Sequence, residues 1–346
     1  MTFALEPLDA GSERRLRLLL PRVSRTFALG IRMLPLRLER PVRVGYLLCR
    51  IADTIEDDLE LDARRKAELL ERFAAAFDDA GTPFAAMAAE LTGIEDHREL
   101  VAAGSEVFAA FRALDPDSRA ILRRWVTKMV AGMRRFVLKY PQGLRLGSID
   151  EFRTYCYYVA GTVGYLLTEL WHAHAHAVNA RVMERLLRDC EAFGEALQTV
   201  NILKDIAWDA ERENAIYVPA DLLASRGSSQ DRLLAAPQRA ANRSALEPLI
   251  ELARKDLERA VTYIEAIPFA APRVRVFCAL PVLLAVATLR ELDRSDAMLA
   301  PGGSVKITRD EVKAIALAAP PASLTNATLR RLVASVRARE YRLATR

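Results

Sequence analysis

The chain has 346 residues, 51% hydrophobic and 27% charged, with 50 basic residues against 45 acidic ones and a net charge of +5. That length allows one large or two ordinary domains and a sizeable core. The basic excess is scattered through apolar-periodic segments and forms no tail or block, which argues against a nucleic-acid surface and leaves anionic small substrates or anionic lipid open.

Ala, Leu and Arg dominate and β-branched runs between turn residues are scarce, so an all-α protein is expected. Residues 12–29 read as a helix broken at Pro21, followed by Ser24-Arg25-Thr26-Phe27. Pro35 and Pro41 bound a turn, and residues 42–58 form the first strongly apolar helix. Helices are expected over 62–79 and 84–113, and Asp115-Pro116 supplies a cap and first-turn proline for a helix over 117–139. Ser148-Ile149-Asp150-Glu151 is a capping box opening a helix that carries Tyr155, Ala160, Gly161 and Gly164. Each of those glycines costs about 1 kcal/mol relative to alanine. Some other body needs the space, and an apolar slot for a long hydrocarbon would use it.

A helix over 180–209 comes next, and residues 225–244, rich in Ser, Arg and Ala with Gly227 and Pro237, are expected to be a mobile loop. Helices over 245–266, 272–294, 309–317 and 322–344 complete the chain. No repeat or low-complexity linker is visible, which favours one domain over 1–346.

Cys49, Cys156, Cys190 and Cys278 sit in apolar helical patterns without metal-type spacing and read as reduced core thiols of a cytoplasmic protein. The uncharged stretches 154–168 and 276–289 fall short of the roughly 20 residues a spanning helix needs. Any membrane contact is therefore expected to be peripheral, and no export signal is evident.

The densest chemistry lies in Arg50-Ile51-Ala52-Asp53-Thr54-Ile55-Glu56-Asp57-Asp58, where Asp53 and Asp57 share a helix face. Like charges so placed repel, and a divalent cation would reverse the sign. Gln198, Asn201, Asp205 and Asp209, at spacings of 3, 4 and 4, repeat the arrangement. Each stripe is either a solvated helix face or half of a carboxylate-lined cavity. Magnesium takes one or two carboxylates plus water and phosphate oxygens, so paired stripes suit a Mg²⁺-bridged diphosphate. Arg25, Arg50 and Lys204 would then bind phosphate or merely pair with the acids. Tyr46, Phe27, Tyr157, Tyr158 and Phe277 either line a dry cavity for an allylic cation or belong to the core. His172 and His176 share a face without a third zinc ligand and read as a surface helix end. Rossmann, P-loop and serine-nucleophile signatures are missing.

Four segments, Ser24 to Phe27, Tyr46 to Asp58, Tyr155 to Gly164 and Gln198 to Asp209, come in the order found in squalene/phytoene synthases, the head-to-head prenyl transferases, which the chain resembles over about residues 20–315. Phe277 to Leu289 and Val305-Lys306-Ile307 resemble the squalene synthase branch in particular. The resemblance implies a single-domain isoprenoid synthase-type helical bundle with a central substrate cavity. It also implies condensation of two farnesyl diphosphates to presqualene diphosphate, then NADPH-dependent rearrangement to squalene. By motif, Asp53, Glu56 and Asp57 would hold Mg²⁺ at one diphosphate, and Asp205 and Asp209 at the other. Tyr155 would assist the first half-reaction by proton abstraction. Ser24, Arg25, Phe27, Tyr46, Arg50, Gln198, Asn201, Lys204, Arg212 and Tyr217 would contact substrate. Arg25, Arg50, Lys204, Phe277, Lys306 and Arg309 would contact NADPH.

Two positions depart from the family pattern. Ala215 stands where a basic residue is usual, with Arg212 its candidate replacement, and Thr308 stands where a basic residue follows Val-Lys-Ile, with Arg309 next. The implied form lacks the membrane-spanning tail of the eukaryotic enzymes and is favoured as a monomer. A family member that stops at presqualene diphosphate or diverts from it to dehydrosqualene or hydroxysqualene, a phytoene synthase, or a non-catalytic scaffold of the same fold, are the competing readings. Asp58, on another helical face, is expected to be ordinary surface.

Overall fold

The computed structural model describes residues 9–340, apart from the side chains of Arg25 and Thr26. The Arg25 side chain assigned to phosphate thus lies outside the described residues, as do positions 341–344 of the last expected helix. Among the described residues the chain is helical throughout, with one isolated bridge between Arg145 and Ile216, so the all-α expectation holds. The backbone packs as two units, Met1–Gln142 with Glu169–His176, and Gly143–Thr168 with Ala177–Arg346.

The first unit opens with α1 (Ala10–Val23), α2 (Arg25–Met33) and α3 (Leu36–Glu56). Proline misleads here. Pro21 lies inside α1, so the helix does not break there. The break comes at Ser24, whose Oγ accepts the Phe27 amide at 3.3 Å and starts α2. Likewise Pro41 bounds no turn. Pro35 is the N-cap and α3 runs straight through Pro41, because burial of Leu38, Val42, Val44, Leu47, Leu48 and Ile51 on that helix outweighs one missing ladder bond.

α4 (Ala63–Ala75) follows the Asp62 cap, and the expected single helix over 84–113 is three: α5 (Phe84–Glu90), α6 (Glu95–Ala102) and α7 (Gly104–Arg112). α8 (Pro116–Lys139) closes the set with the expected Asp115 cap. α3 packs against α4, α6, α7 and α8. Phe73, Phe77, Phe84, Phe108 and Phe111 form an aromatic cluster with centroids 5.0–6.5 Å apart.

The break between α5 and α6 is fixed by Asp58. Its Oδ1 accepts the amides of Glu60 and Leu61, and its Oδ2 accepts the amide and hydroxyl of Thr92 at 2.6 and 3.2 Å. Asp58 is only 3% exposed, so the expectation of a surface acid is wrong. A carboxylate serving four donors is a structural clamp.

In the second unit α9 (Ile149–Cys156) passes through a π-helical turn at Tyr157–Gly161 into α10 (Thr162–His174), whose residues from Glu169 on are counted with the first unit. The expected helix over 180–209 is two, α11 (Ala180–Leu187) and α12 (Cys190–Arg212). α12 is the hub, touching α9, the π turn, α15 and α16. It explains the small residues of the preceding helix. A Cβ on Gly164 would stand 1.9 Å from the Cys190 carbonyl oxygen, and one on Gly194 2.2 Å from that of Ala160. The body that needs the space beside Gly164 and Gly194 is the contact between this helix and α12.

α13 (Ala220–Ala224), α14 (Arg239–Ala245), α15 (Glu247–Ala266) and α16 (Pro272–Arg294) follow, then α17 (Arg309–Ala322) and α18 (Asn326–Ala338). Residues 225–244 are built from short helical turns in place of the expected loop. Buried Asn242 pins them, donating to the Arg232 and Leu233 carbonyls at 2.9 and 2.8 Å. α17 runs past 317 through Pro320 and Pro321. α16 is long and apolar enough to cross a membrane by composition, and 78% of its most apolar window is buried inside the protein.

Candidate functional site

In the first unit one face of α3 presents Tyr46, Arg50 and Asp53 in successive turns. Arg50 Nη2 donates to Tyr46 Oη at 3.2 Å, its guanidinium lies 5.8 Å from the Tyr46 ring centroid, and its Nη1 is 3.6 Å from Asp53 Oδ2. Phe27, from α2, tilts against Tyr46 with centroids 5.6 Å apart. Asp57 ends the helix as its C-cap, one turn beyond Asp53, and its amide donates to the Asp53 carbonyl at 2.9 Å.

The electrostatics are unbalanced toward cation binding. Burial raises the Asp53 carboxyl above its ordinary pKa, and the charge of Arg50 only partly opposes this. Burial acts to lower Arg50, but Asp53, Tyr46 and Asp57 together leave its pKa raised. A further cation would hold Asp53 ionised.

In the second unit α12 carries the other acids, and its backbone leaves helical geometry at Asp205 (φ −114°, ψ 16°). Beside this bend the Lys204 carbonyl accepts the Val305 amide at 3.1 Å, a bond outside the helix ladder. Gly302 donates to Glu211 Oε2 at 2.9 Å, so the segment 302–305 lies along the acidic stretch and brings Lys306 next to Lys204. Lys204 Nζ is ion-paired with Asp205. Asn201 is exposed, Gln198 half-buried and Asp209 8% exposed. The regular stripe of four expected from spacing is thus bent between Asn201 and Asp209.

Tyr155 is 4% exposed, and its Oη is 3.3 Å from Tyr217 Oη with the rings 5.1 Å apart. Tyr217 is placed by a short pairing of residues 144–146 with 216, braced by Arg145 on Asn214 and by Gln230 on the Leu146 and Val218 carbonyls.

Residues 20–311 match the family described as squalene/phytoene synthase. The chain belongs to the squalene/phytoene synthase family. It is 29% identical over 289 residues to a probable squalene synthase of Neurospora crassa, covering 83% of this chain and 58% of that one. Squalene synthase of Nicotiana benthamiana is 28% identical, covering 78% and 62%, and squalene synthase R6 of Phoma sp. is 30% identical, covering 83% and 66%. The chain spans about three fifths of the length of the first two. The fold resembles TcSQS in complex with the ligand BPH1237 (TM-score 0.82, 22% identity, 97% of this chain and 94% of that one). A dehydrosqualene synthase in complex with a ligand follows at TM-score 0.59 and 17% identity, covering 96% and 98%.

The residues present fit the family's divalent cation. Among the described residues no three His, Cys, Asp or Glu side chains gather as a metal cage. The first acidic stretch instead carries Asp53, Glu56 and Asp57 and the second Asp205 and Asp209, and one or two carboxylates per ion are what Mg²⁺ uses when phosphate and water complete its shell.

Of the other synthase candidates, Arg212 stacks over the half-exposed Trp208 at 5.7 Å, Phe277 is 5% exposed within α16, and Lys306 and Arg309 are exposed. His172 and His176 are exposed as expected, while His174 bonds Ser118 Oγ at 2.7 Å. Spacing missed two neighbours of the first stretch. Lys66 Nζ donates to the Glu56 carbonyl at 2.7 Å, and His97, lowered in pKa by burial and by Arg50, lies within electrostatic reach of that arginine. Both come from other helices, and nothing local in the sequence marks them.

Proposed function

We propose that the protein condenses two farnesyl diphosphates head to head to presqualene diphosphate and converts this to squalene with NADPH. The observation that carries the reading is the pairing of each acidic stretch with a cation, Arg50 with Asp53 and Lys204 with Asp205, alongside the hydrogen-bonded Tyr155–Tyr217 pair. Mg²⁺, when bound, would neutralise the diphosphate oxygens and help them leave.

Asp53, Glu56 and Asp57 serve one diphosphate, and Asp205 and Asp209 the other. Arg50 and Lys204 donate to phosphate oxygens once substrate competes for them. Tyr155, hydrogen-bonded to Tyr217, would assist proton removal in the first half-reaction, and its 4% exposure suits a dry environment for the cation. Lys306, with Lys204 beside it and Arg309 at the start of α17, would hold NADPH phosphate.

Incubation with farnesyl diphosphate and Mg²⁺, with and without NADPH, followed by mass spectrometry of the extract, tests this. Squalene formed only with NADPH supports it. Dehydrosqualene, hydroxysqualene or presqualene diphosphate as sole product, or phytoene from geranylgeranyl diphosphate, assigns another reaction of the family. Absence of turnover with every prenyl diphosphate assigns a scaffold role.

A further inference from the structure

Apart from the acidic stretches, a cavity of about 780 Å³ opens in the first unit between α1, the start of α3 and the turn before α8. Its charged lining is Glu13, Arg17, Arg37, Glu39, Arg40 and Asp115. Three cations meet three acids, yet their pairing is uneven. Arg43, wholly buried and outside the lining, bonds Glu39 at 2.9 Å and also Glu13. Arg17 adds contacts of 3.2 Å to Glu13 and 3.8 Å to Glu39. Those two acids are therefore already neutralised. Asp115 caps α8 through the Ser118 amide at 2.9 Å and has His174 at 3.6 Å.

Arg37 and Arg40 have no such partner among the described residues, and Arg40 Nε is buried without an acceptor. Both lie in the first two turns of α3, where the N-cap is Pro35 and no side chain accepts from the helix start. The positive end of a 21-residue helix thus opens beside exposed Arg37 and half-buried Arg40, neither ion-paired among the described residues, with Asp115 in the same lining. Guanidinium forks match planar and tetrahedral oxyanions, and the recess brings two of them to one helix start.

We propose that this cavity binds a small soluble polyanion of the phosphate or diphosphate class. The inference does not depend on the reaction proposed above, because none of its residues belongs to the acidic stretches.

The test is calorimetric titration of the whole protein with inorganic diphosphate in the presence of a chelator, which removes metal-dependent binding. The expected result is saturable binding that weakens at least tenfold in the Arg37→Gln/Arg40→Gln double variant and survives in Lys204→Gln. Partial recovery in Arg37→Lys/Arg40→Lys would separate loss of charge from loss of fold. Absence of saturable binding, binding unchanged in the double glutamine variant, or binding abolished by Lys204→Gln would each overturn the proposal. Cosedimentation with anionic phospholipid vesicles that requires Arg37 and Arg40, without binding of free diphosphate, would overturn it in favour of a lipid headgroup.

Discussion

The Val305 amide donates to the Lys204 carbonyl at 3.1 Å, joining the segment before α17 to the bend in α12. Lys306 follows directly and is exposed, so its ammonium is available to a phosphate-bearing ligand near Lys204. Lys306→Ala is expected to leave condensation intact, raise the NADPH concentration needed for squalene and let presqualene diphosphate accumulate. Product ratios across an NADPH titration check this, and an unchanged NADPH dependence removes Lys306 from the cofactor site.

Asp53 sits where a further cation is favoured, since burial raises its pKa and Arg50 only partly compensates. Asp53→Asn preserves its shape and removes the charge. Condensation is expected to fall by more than tenfold, about 1.4 kcal/mol of barrier, with a higher Mg²⁺ requirement. Initial rates over a Mg²⁺ series decide the matter, and activity within tenfold at all concentrations would remove Asp53 from the metal site. Asp205→Asn should behave alike, because Lys204 is the comparable single cation beside it.

Both acidic stretches were legible in the sequence because an i, i+4 pair within one helix is a local pattern. What closes around them was not. Lys66 reaches the Glu56 carbonyl across a turn, and Val305 reaches Lys204 from a distant segment, so no periodicity announces either. Proline misleads for a related reason. Pro41 violates local helix chemistry, but α3 is buried along so much of its length that packing overrides one lost bond. The glycines at 161 and 164 correctly signalled a close neighbour, and only the fold shows that neighbour to be α12.

Tyr155 and Tyr217 present two hydroxyls 3.3 Å apart, one from α9 and one from the segment before α13. Tyr155→Phe is expected to abolish presqualene diphosphate formation. Tyr217→Phe should act more mildly, since it removes an orienting bond and leaves the acceptor. Single-turnover assays resolve the two half-reactions. Loss confined to the NADPH-dependent step in Tyr155→Phe would contradict its assigned role.

Asp58 should separate stability from catalysis. Asp58→Ala strands the donors of Glu60, Leu61 and Thr92, at a cost of about 2–4 kcal/mol. Denaturant unfolding should show that loss, while turnover per folded molecule falls less than in Asp53→Asn. The reverse ordering would make Asp58 part of the metal site.

Asp256, on α15 and 3% exposed, predicts an unusual pH dependence. Burial first, then the charge of Glu195, push its pKa up to about 7, against the opposing charges of Arg153 and Arg259. Glu195 is itself held by Arg153 through two bonds of 2.9 and 3.1 Å. The folded protein therefore holds the Asp256 proton more tightly than the unfolded chain, whose carboxyl titrates near 3.8. The sign is opposite to that of a salt-bridged aspartate. The contribution of Asp256 to stability is full below pH 3.8, declines as pH rises through about 7 and is flat above it. Asp256→Asn, which mimics the protonated form, should be more stable than the parent at pH 8 and lose that advantage toward pH 5. Chemical denaturation at both values measures this, and an equal difference at the two would show that Asp256 does not titrate in the fold.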